Sequence, residues 1–475
     1  MKSESVAVLQ PLTSIIIPTY NQWTYTRQCI ESIHRFTTCP YELIVVDNGS
    51  SDETVAELRA YKEVILIENP ANFGFPKACN QGMEAARGEQ FVILNNDVVV
   101  THNWLDNLLN CLHSDPSHGA VGPVSNYVSG VQFHPGSYTS MEEMQQFSLE
   151  HNKPNPSKWF YTLRLVGFCL VIRRSVYEIL GGFDEDFGQG NFEDDDYCLR
   201  IRRSGRRLVV AADTFVHHYG SVSQRVNPNY GDLLQSNLQR FFSKWGINPQ
   251  YSLWTREDLA ELVPQDATRV LDVGCACGGL GLTLKNRGVG YVAGIEYNER
   301  AAIDARTVLD EVWIGDAATI HLPHPPGSFD ALVFADVLEH LTDPIAALRN
   351  LTSYLKPEGY VIASIPNVGH ASVLKGLLEG SWTYQESGIL DKTHLRFFTL
   401  LEIARLFEQV GLQIEFIGMV QDAPPDLDAF CMELEQLAAK LELPSFGPGF
   451  RDRCNTVQYY VRALNLLPMD KSMGF

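Results

Sequence analysis

Residues 269–288 read RVLDVGCACGGLGLTLKNRG: an apolar run, a glycine-spaced turn, then a helical pattern. Outward from it, GYVAGIE (290–296), FDALVFAD (329–336) and GYVIASIPN (359–367) repeat the short apolar run, each set off by a helix-length segment. The first half behaves alike, with SIIIP (14–18), ELIVVD (42–47), VILIEN (64–69) and QFVILNND (90–97). Runs this short and continuous are buried on both faces, which predicts parallel strands in open α/β sheets. After FFSKWG (241–246) a loop and a short helix lead into a fresh first strand, so the boundary is expected near 245–262. The expected domains are 1–250 and 251–475, within the range of about 150 residues or more that a domain occupies. Residues 125–160, rich in Ser, Gly, Pro, Tyr and His, read as an irregular functional loop or acceptor lid.

The 475 residues hold 37 Lys and Arg against 57 Asp and Glu, a net charge of −20, and both halves are acidic. No basic surface is available for nucleic acid or an anionic membrane, so no nucleic-acid partner is expected. A phosphate-bearing substrate needs local help from a metal ion or helix N-termini. Ten cysteines are scattered, with Cys275 and Cys277 the only close pair, which fits a reduced interior and neither a disulfide framework nor a zinc site. MKSESVAVLQPLTS lacks the apolar core of a signal peptide. No stretch approaches the ~20 apolar residues of a membrane helix. The expectation is a cytoplasmic protein, at most peripheral at the inner membrane surface.

Ligands of open α/β sheets bind beyond the carboxyl ends of strands. In the first half those ends read Pro18-Thr19-Tyr20-Asn21, Asp47-Asn48-Gly49-Ser50 and Asn95-Asn96-Asp97. One such Asp is ordinarily a cap or turn former; three polar ends on one edge favour a site. SIIIPTYNQ, IVVDNGSSDET, NFGFPKACNQGMEAARGEQFVILNNDVVV and GGFDEDFGQGNFEDDDYCLRIRRSG resemble, in order, the motifs of family-2 inverting glycosyltransferases of the GT-A fold, over residues 12–245. The resemblance implies metal-dependent sugar transfer from a nucleotide diphosphate sugar to a glycan or lipid-linked acceptor. It assigns Pro18, Tyr20, Asp47, Asp52, Lys77, Asn95, Asn96, Asp97 and Glu193 to the donor, with Asp47 on the base. Asp97 ends the metal motif, whose first carboxylate is here the amide of Asn95; one carboxylate with diphosphate oxygens suits Mg²⁺ or Mn²⁺. A nearby histidine completes the metal site in the family, and His217 and His218 both qualify. The general base falls on Asp194. Acidic residues also favour a helix N-terminus, which accounts equally for Asp195 or Asp196.

In the second half Gly274, Ala276 and Gly278 occupy G-x-G-x-G positions, with alanine in the middle, and Glu296 ends the next strand, placed to accept ribose hydroxyls. LDVGCACGG, GIEYNERAA, GDAATIHLP, FDALVFADVLEHLTDP and LKPEGYVIASIPN resemble the successive motifs of class I S-adenosylmethionine-dependent methyltransferases, a Rossmann-like fold, over about 262–465, with VQYYVRAL as a last strand. The resemblance implies S-adenosylmethionine as cofactor. It places Asp272, Gly274 and Gly278 around the methionine end, Glu296 at the ribose, Asp316 and Ala317 at the adenine, and Asp336 and His340 near the methyl. His394, in DKTHLRFFT (391–399), and His340 are candidate bases, with Asp391 and Arg396 orienting the acceptor. Together the halves imply a bifunctional enzyme that glycosylates and methylates one glycan. The alternative is a methyltransferase whose first domain is an inactive glycan-binding module, prompted by Asn95.

Overall fold

The computed structural model describes residues 11–220, 229–422, 424–442 and 447–466. The chain divides into two compact units, Met1–Leu253 and Trp254–Phe475. Both are α/β, as the sequence predicts.

In the first unit the described strands are β1 (Thr13–Thr19), β2 (Tyr41–Asp47), β3 (Val64–Glu68), β4 (Gln90–Leu94), β5 (Val98–Val99), β6 (His118–Ser125), β7 (Trp159–Thr162), β8 (Cys169–Arg173) and β9 (Arg207–His218). They run β3-β2-β1-β4-β8-β6-β9-β5 across the sheet, with β7 also on β9. The four runs read from sequence form a parallel block, β3-β2-β1-β4, and β6 and β9 are a further parallel pair. Successive residues point to opposite faces, and both faces are covered: Ile15 and Ile17 enter one core, Ile16, Ile44 and Val46 the other. That double burial is why the runs are unbroken. To these expected parallel strands the structure adds β8, antiparallel to β4 and β6, and β5 and β7, antiparallel to β9, so the sheet is mixed. An apolar run fixes burial and leaves strand direction to the connections.

Residues 125–160 are more ordered than expected, because Met141–His151 is a helix. Ser140 Oγ accepts the Glu143 N–H, while the Glu143 carboxylate accepts from Thr139 N and Oγ1, a reciprocal cap that the Ser-x-x-Glu spacing encodes.

The second unit has β10 (Arg269–Val273), β11 (Tyr291–Glu296), β12 (Glu311–Ile314), β13 (Phe329–Ala335), β14 (Leu355–Pro366), β15 (Leu412–Gln421) and β16 (Thr456–Asn465), in the order β12-β11-β10-β13-β14-β16-β15. β10 to β14 are mutually parallel; β16, which contains VQYYVRAL, slots antiparallel between β14 and β15. Among the described residues no helix is long and apolar enough to cross a membrane. All ten cysteines are buried, and none forms a disulfide.

Candidate functional site

The carboxyl edge of β1 and β4 opens on a cleft of about 1230 Å³ lined by Pro18, Tyr20, Asn48, Asn95, Asn96, Asp97, Arg164, Glu193, Asp194, Asp195 and His218, among others. The strand-end residues meet because β1 and β2 run in register, Thr19 beside Asp47. Asp47 is buried just beneath; its Oδ2 accepts the N–H groups of Gly49 and Ser50 at 3.0 and 2.9 Å, while Oδ1 has no partner. Asp52 and Lys77 are not brought to the lining. Exposed Asp52 accepts the Thr54 N–H at 3.1 Å, a turn-forming role, and Lys77 pairs with Glu185 at 3.0 Å. Asn96 is turned toward the fold, donating to Thr19 and Thr26 hydroxyls.

The choice between the two histidines follows from strand alternation. Along β9 neighbouring side chains face opposite ways, so only one of the two can turn to Asp97, and the contact between His218 Nε2 and the Asp97 carboxylate shows which it is. His218 Nδ1 lies 2.7 Å from the Tyr127 carbonyl, which can only accept, so Nδ1 carries the proton. Its Nε2 then faces Asp97 Oδ1 at 3.1 Å. The ring stacks on Phe168, and Asn126 brackets the His218 backbone at both N–H and C=O. His217 instead turns toward Tyr138, whose hydroxyl is 2.7 Å from its Nδ1, and burial pushes it down to about 4.

Glu193 and Asp194 open the helix Glu193–Arg203, and the two residues before it, Asn191 and Phe192, hold φ of 77° and 70°. Left-handed backbone at a bulky residue is strained, and it is held by Tyr230, which donates to Asn191 Oδ1, and by Asn237, which donates to the Phe187 and Gly190 carbonyls. Asp194 is fixed by two backbone donors, Gly167 N on Oδ2 and Asp195 N on Oδ1, both at 2.9 Å. Burial, then Asp195, push its carboxyl up to about 6 against the pull of Arg164. Burial and Asp194 raise Glu193 well above its ordinary range. The other two acids are occupied: Asp195 pairs with Arg164 at 2.6 Å, and Asp196 with Arg200 and Lys244. Arg164, Asn126 and Tyr230 have no motif of their own in the sequence; only the fold brings them here.

In the second unit the glycine turn follows β10. Gly274 and Gly278 have φ of 74° and 85°, and a Cβ on either would approach Val337 or Val308 to 2.5 and 2.6 Å. Ala276 keeps the left-handed φ of 46° without being glycine, and its N–H donates to Glu296 Oε2 at 2.7 Å. Glu296 Oε1 accepts Asn298 N, so one carboxylate braces both loops. Asp272 is buried with neither oxygen partnered, and burial, then Glu296, raise it to about 7. Asp316 is exposed and caps Ala318 N; Ala317 is buried beside it.

Asp336 departs from expectation. Its carboxylate is taken by Arg256 at 2.6 Å, by the Ser364 hydroxyl at 2.7 Å and by Gln458, so it braces the fold rather than standing open to a cofactor. Asp391 and Arg396 are likewise engaged locally, Asp391 by Thr393 N and Oγ1 and Arg396 by the Thr342 carbonyl. His340 and His394 do meet, ring centroids 4.8 Å apart. Burial and His394 lower His340. Next to them Glu339 is 1% exposed.

Residues 14–181 match the family model described as glycosyl transferase family 2, and residues 232–415 match a methyltransferase domain. Among curated proteins, the O-antigen biosynthesis protein RfbC of Myxococcus xanthus is 31% identical over 46% of this chain and 18% of its own length. The N-acetylglucosaminyl-diphospho-decaprenol L-rhamnosyltransferase of Mycobacterium tuberculosis is 26% identical over 45% of this chain and 78% of its own. A solved SAM-dependent methyltransferase from Thermotoga maritima is 19% identical, covering 49% of this chain and 96% of that one with a TM-score of 0.32. The chain spans from about a fifth to about half of the length of the first curated relatives it matches. A glycosyl transferase family 2 domain and a methyltransferase domain therefore follow one another in this chain.

Proposed function

We propose that this chain, a glycosyl transferase family 2 domain followed by a methyltransferase domain, is a bifunctional cytoplasmic enzyme that adds a sugar with inversion and a methyl group to related glycans. The two domains are taken as 1–250 and 251–475. The observation that carries the first activity is the joining of Asp97, His218 and Asp194 in one cleft. His218 Nε2 presents a lone pair to a carboxylate oxygen at 3.1 Å, an arrangement of two electron-rich atoms that fits a divalent cation such as Mn²⁺ or Mg²⁺. The amide of Asn95 is a neutral oxygen ligand beside them, so loss of the motif's first carboxylate is compatible with metal binding. When bound, the ion neutralises charge on the departing nucleotide diphosphate. The Asp47 Oδ1 left without a partner suits an N–H of the donor's base. Asp194, oriented by two N–H groups and with a conjugate acid near neutral pH, takes the proton of the acceptor hydroxyl as that oxygen attacks the anomeric carbon. Asp52 and Lys77 are left out of this machinery.

The second activity uses S-adenosylmethionine. The glycine turn lets backbone approach the ligand, Glu296 receives the ribose hydroxyls, and the orphaned Asp272 oxygens meet the cationic methionine end. His340 and His394 adjoin the segment after β13, where the acceptor hydroxyl meets the methyl group. Mn²⁺-dependent release of nucleotide diphosphate from a panel of nucleotide sugars tests the first half. No turnover with any donor, together with glycan binding, would leave a methyltransferase carrying a binding module. Calorimetry with S-adenosylmethionine tests the second half, with Glu296→Ala as the control that loses the heat.

A further inference from the structure

Glu339 is the hardest buried group in the second unit to explain by packing. It is 1% exposed, and neither carboxylate oxygen has a hydrogen-bond partner. A buried acid with no donor is destabilising by several kcal/mol unless a proton or a cation joins it. One ligand atom from each of Glu339, His340 and His394 falls within 4.8 Å of the other two. The cluster is built rather than incidental. The Glu339 carbonyl accepts the N–H groups of Leu395 and Arg396 at 2.8 and 3.0 Å, tying the turn after β13 to the 391–399 segment. His394 Nδ1 lies 3.0 Å from the Ile389 carbonyl, so it is the protonated nitrogen and Nε2 keeps its lone pair. His340 Nδ1 lies 3.3 Å from the Thr393 carbonyl and 3.2 Å from the Thr393 hydroxyl, whose own proton goes to Asp391 Oδ1 at 2.6 Å, so both neighbours accept and Nδ1 is again the protonated nitrogen. An imidazole whose Nδ1–H is committed to a carbonyl is the outer-shell arrangement of metal-ligating histidines.

We infer that Glu339, His340 and His394 form a divalent transition-metal site that holds the acceptor oxygen of the methyl-transfer reaction. Two imidazoles and one carboxylate suit Zn²⁺, Co²⁺ or Fe²⁺ and leave coordination positions for an exogenous oxygen. Bonds of about 2.1 Å put tetrahedral donors about 3.4 Å apart, so the three side chains close on an ion by small rotamer changes. The role, though not the binding, rests on the methyltransferase reading. With a cation in place the imidazoles are ligands rather than bases. The hydroxyl proton passes to solvent, the oxygen–methyl bond forms, and the carbon–sulfur bond breaks with its electron pair left on a neutral thioether.

The test uses the full chain as Asp97→Ala, which silences the metal site proposed in the other unit, stripped with chelator and titrated with Co²⁺ alone. The expected result is one equivalent bound with the visible d–d bands of nitrogen coordination. Affinity should fall at least a hundredfold on adding Glu339→Gln or His394→Gln, while thermal stabilisation by S-adenosylmethionine persists in both. Absence of those bands in the Asp97→Ala parent, or unchanged binding in either folded double variant, overturns the site. Bound Co²⁺ without any S-adenosylmethionine binding keeps the site and defeats the methyltransferase reading. If Glu339→Gln does not fold, the parent's spectrum and His394→Gln decide.

Discussion

Asp194→Asn separates the base from the brace. In the fold the carboxyl is lifted from 3.8 to about 6, so ionising it costs ~3 kcal/mol more than in the unfolded chain. The sign is unfavourable to the native state: the folded protein holds the proton more tightly, so this group's contribution falls as pH rises from about 4 to about 6 and is flat above. The amide has no such dependence. It can still accept from one of the two backbone donors, Gly167 N or Asp195 N, and loses the other at a cost of about 1 kcal/mol. Denaturant midpoints should therefore show Asp194→Asn gaining on the wild type by ~3 kcal/mol between pH 4 and pH 7, ending as stable or more stable. Catalysis moves the other way. Removing a positioned base lowers turnover by about 10² to 10⁴, read as nucleotide diphosphate release with Mn²⁺. The wild-type kcat/KM should fall tenfold per pH unit below about 6. A variant that keeps release within tenfold of wild type refutes the base; one that loses stability at pH 8 shows the carboxylate to be a structural clamp.

Ala276→Gly relieves a left-handed alanine at φ 46°; against the added chain entropy of glycine the gain is up to about 1 kcal/mol, a small rise in melting temperature with S-adenosylmethionine affinity retained. His218→Ala should weaken Mn²⁺ binding, followed by electron paramagnetic resonance, by at least tenfold, whereas His217→Ala should leave it within twofold. Arg256→Ala strands Asp336 without its guanidinium and should destabilise the second unit by about 3–5 kcal/mol in denaturant titration, with nucleotide diphosphate release by the first unit preserved. Glu296→Gln keeps the shape but weakens acceptance from the Ala276 N–H and the ribose, and a tenfold or larger loss of S-adenosylmethionine affinity is expected in calorimetry.

The central parallel strands of both sheets were legible because double burial makes their apolar runs unbroken, and the sites at their carboxyl ends follow from topology. What escaped the sequence depends on contacts made across long separations. His218 and His217 are chemically identical, and only the folded chain sets one of them, His218, beside Asp97. Asp336 carries a motif position, yet Arg256, 80 residues earlier, claims its carboxylate. Arg164 pairs with Asp195 from 31 residues away, while Asp194 and Glu193 make no ion pair among the described residues. Asp52 shares a motif with Asp47, but being short and next to a helix start it caps Thr54 instead.

Among the described residues, the buried carboxylate oxygens left without a partner belong to four side chains: Asp47, Glu193, Asp272 and Glu339. None lies in the middle of a core. Asp47 and Asp272 sit at or near the carboxyl ends of β2 and β10, Glu193 opens a helix beside the cleft, and Glu339 is in the turn after β13. Each orphaned acceptor is destabilising by about 1–3 kcal/mol, more when charged, and packing offers no compensating gain at any of them. The physical consequence is that the ligand-free chain holds several acids that only a proton, a cation or an N–H donor from outside can satisfy. Asp47, Glu193 and Asp272 adjoin the places where the two activated donors are proposed to bind, and Glu339 the proposed acceptor site, so on that reading binding and the relief of buried charge are one event.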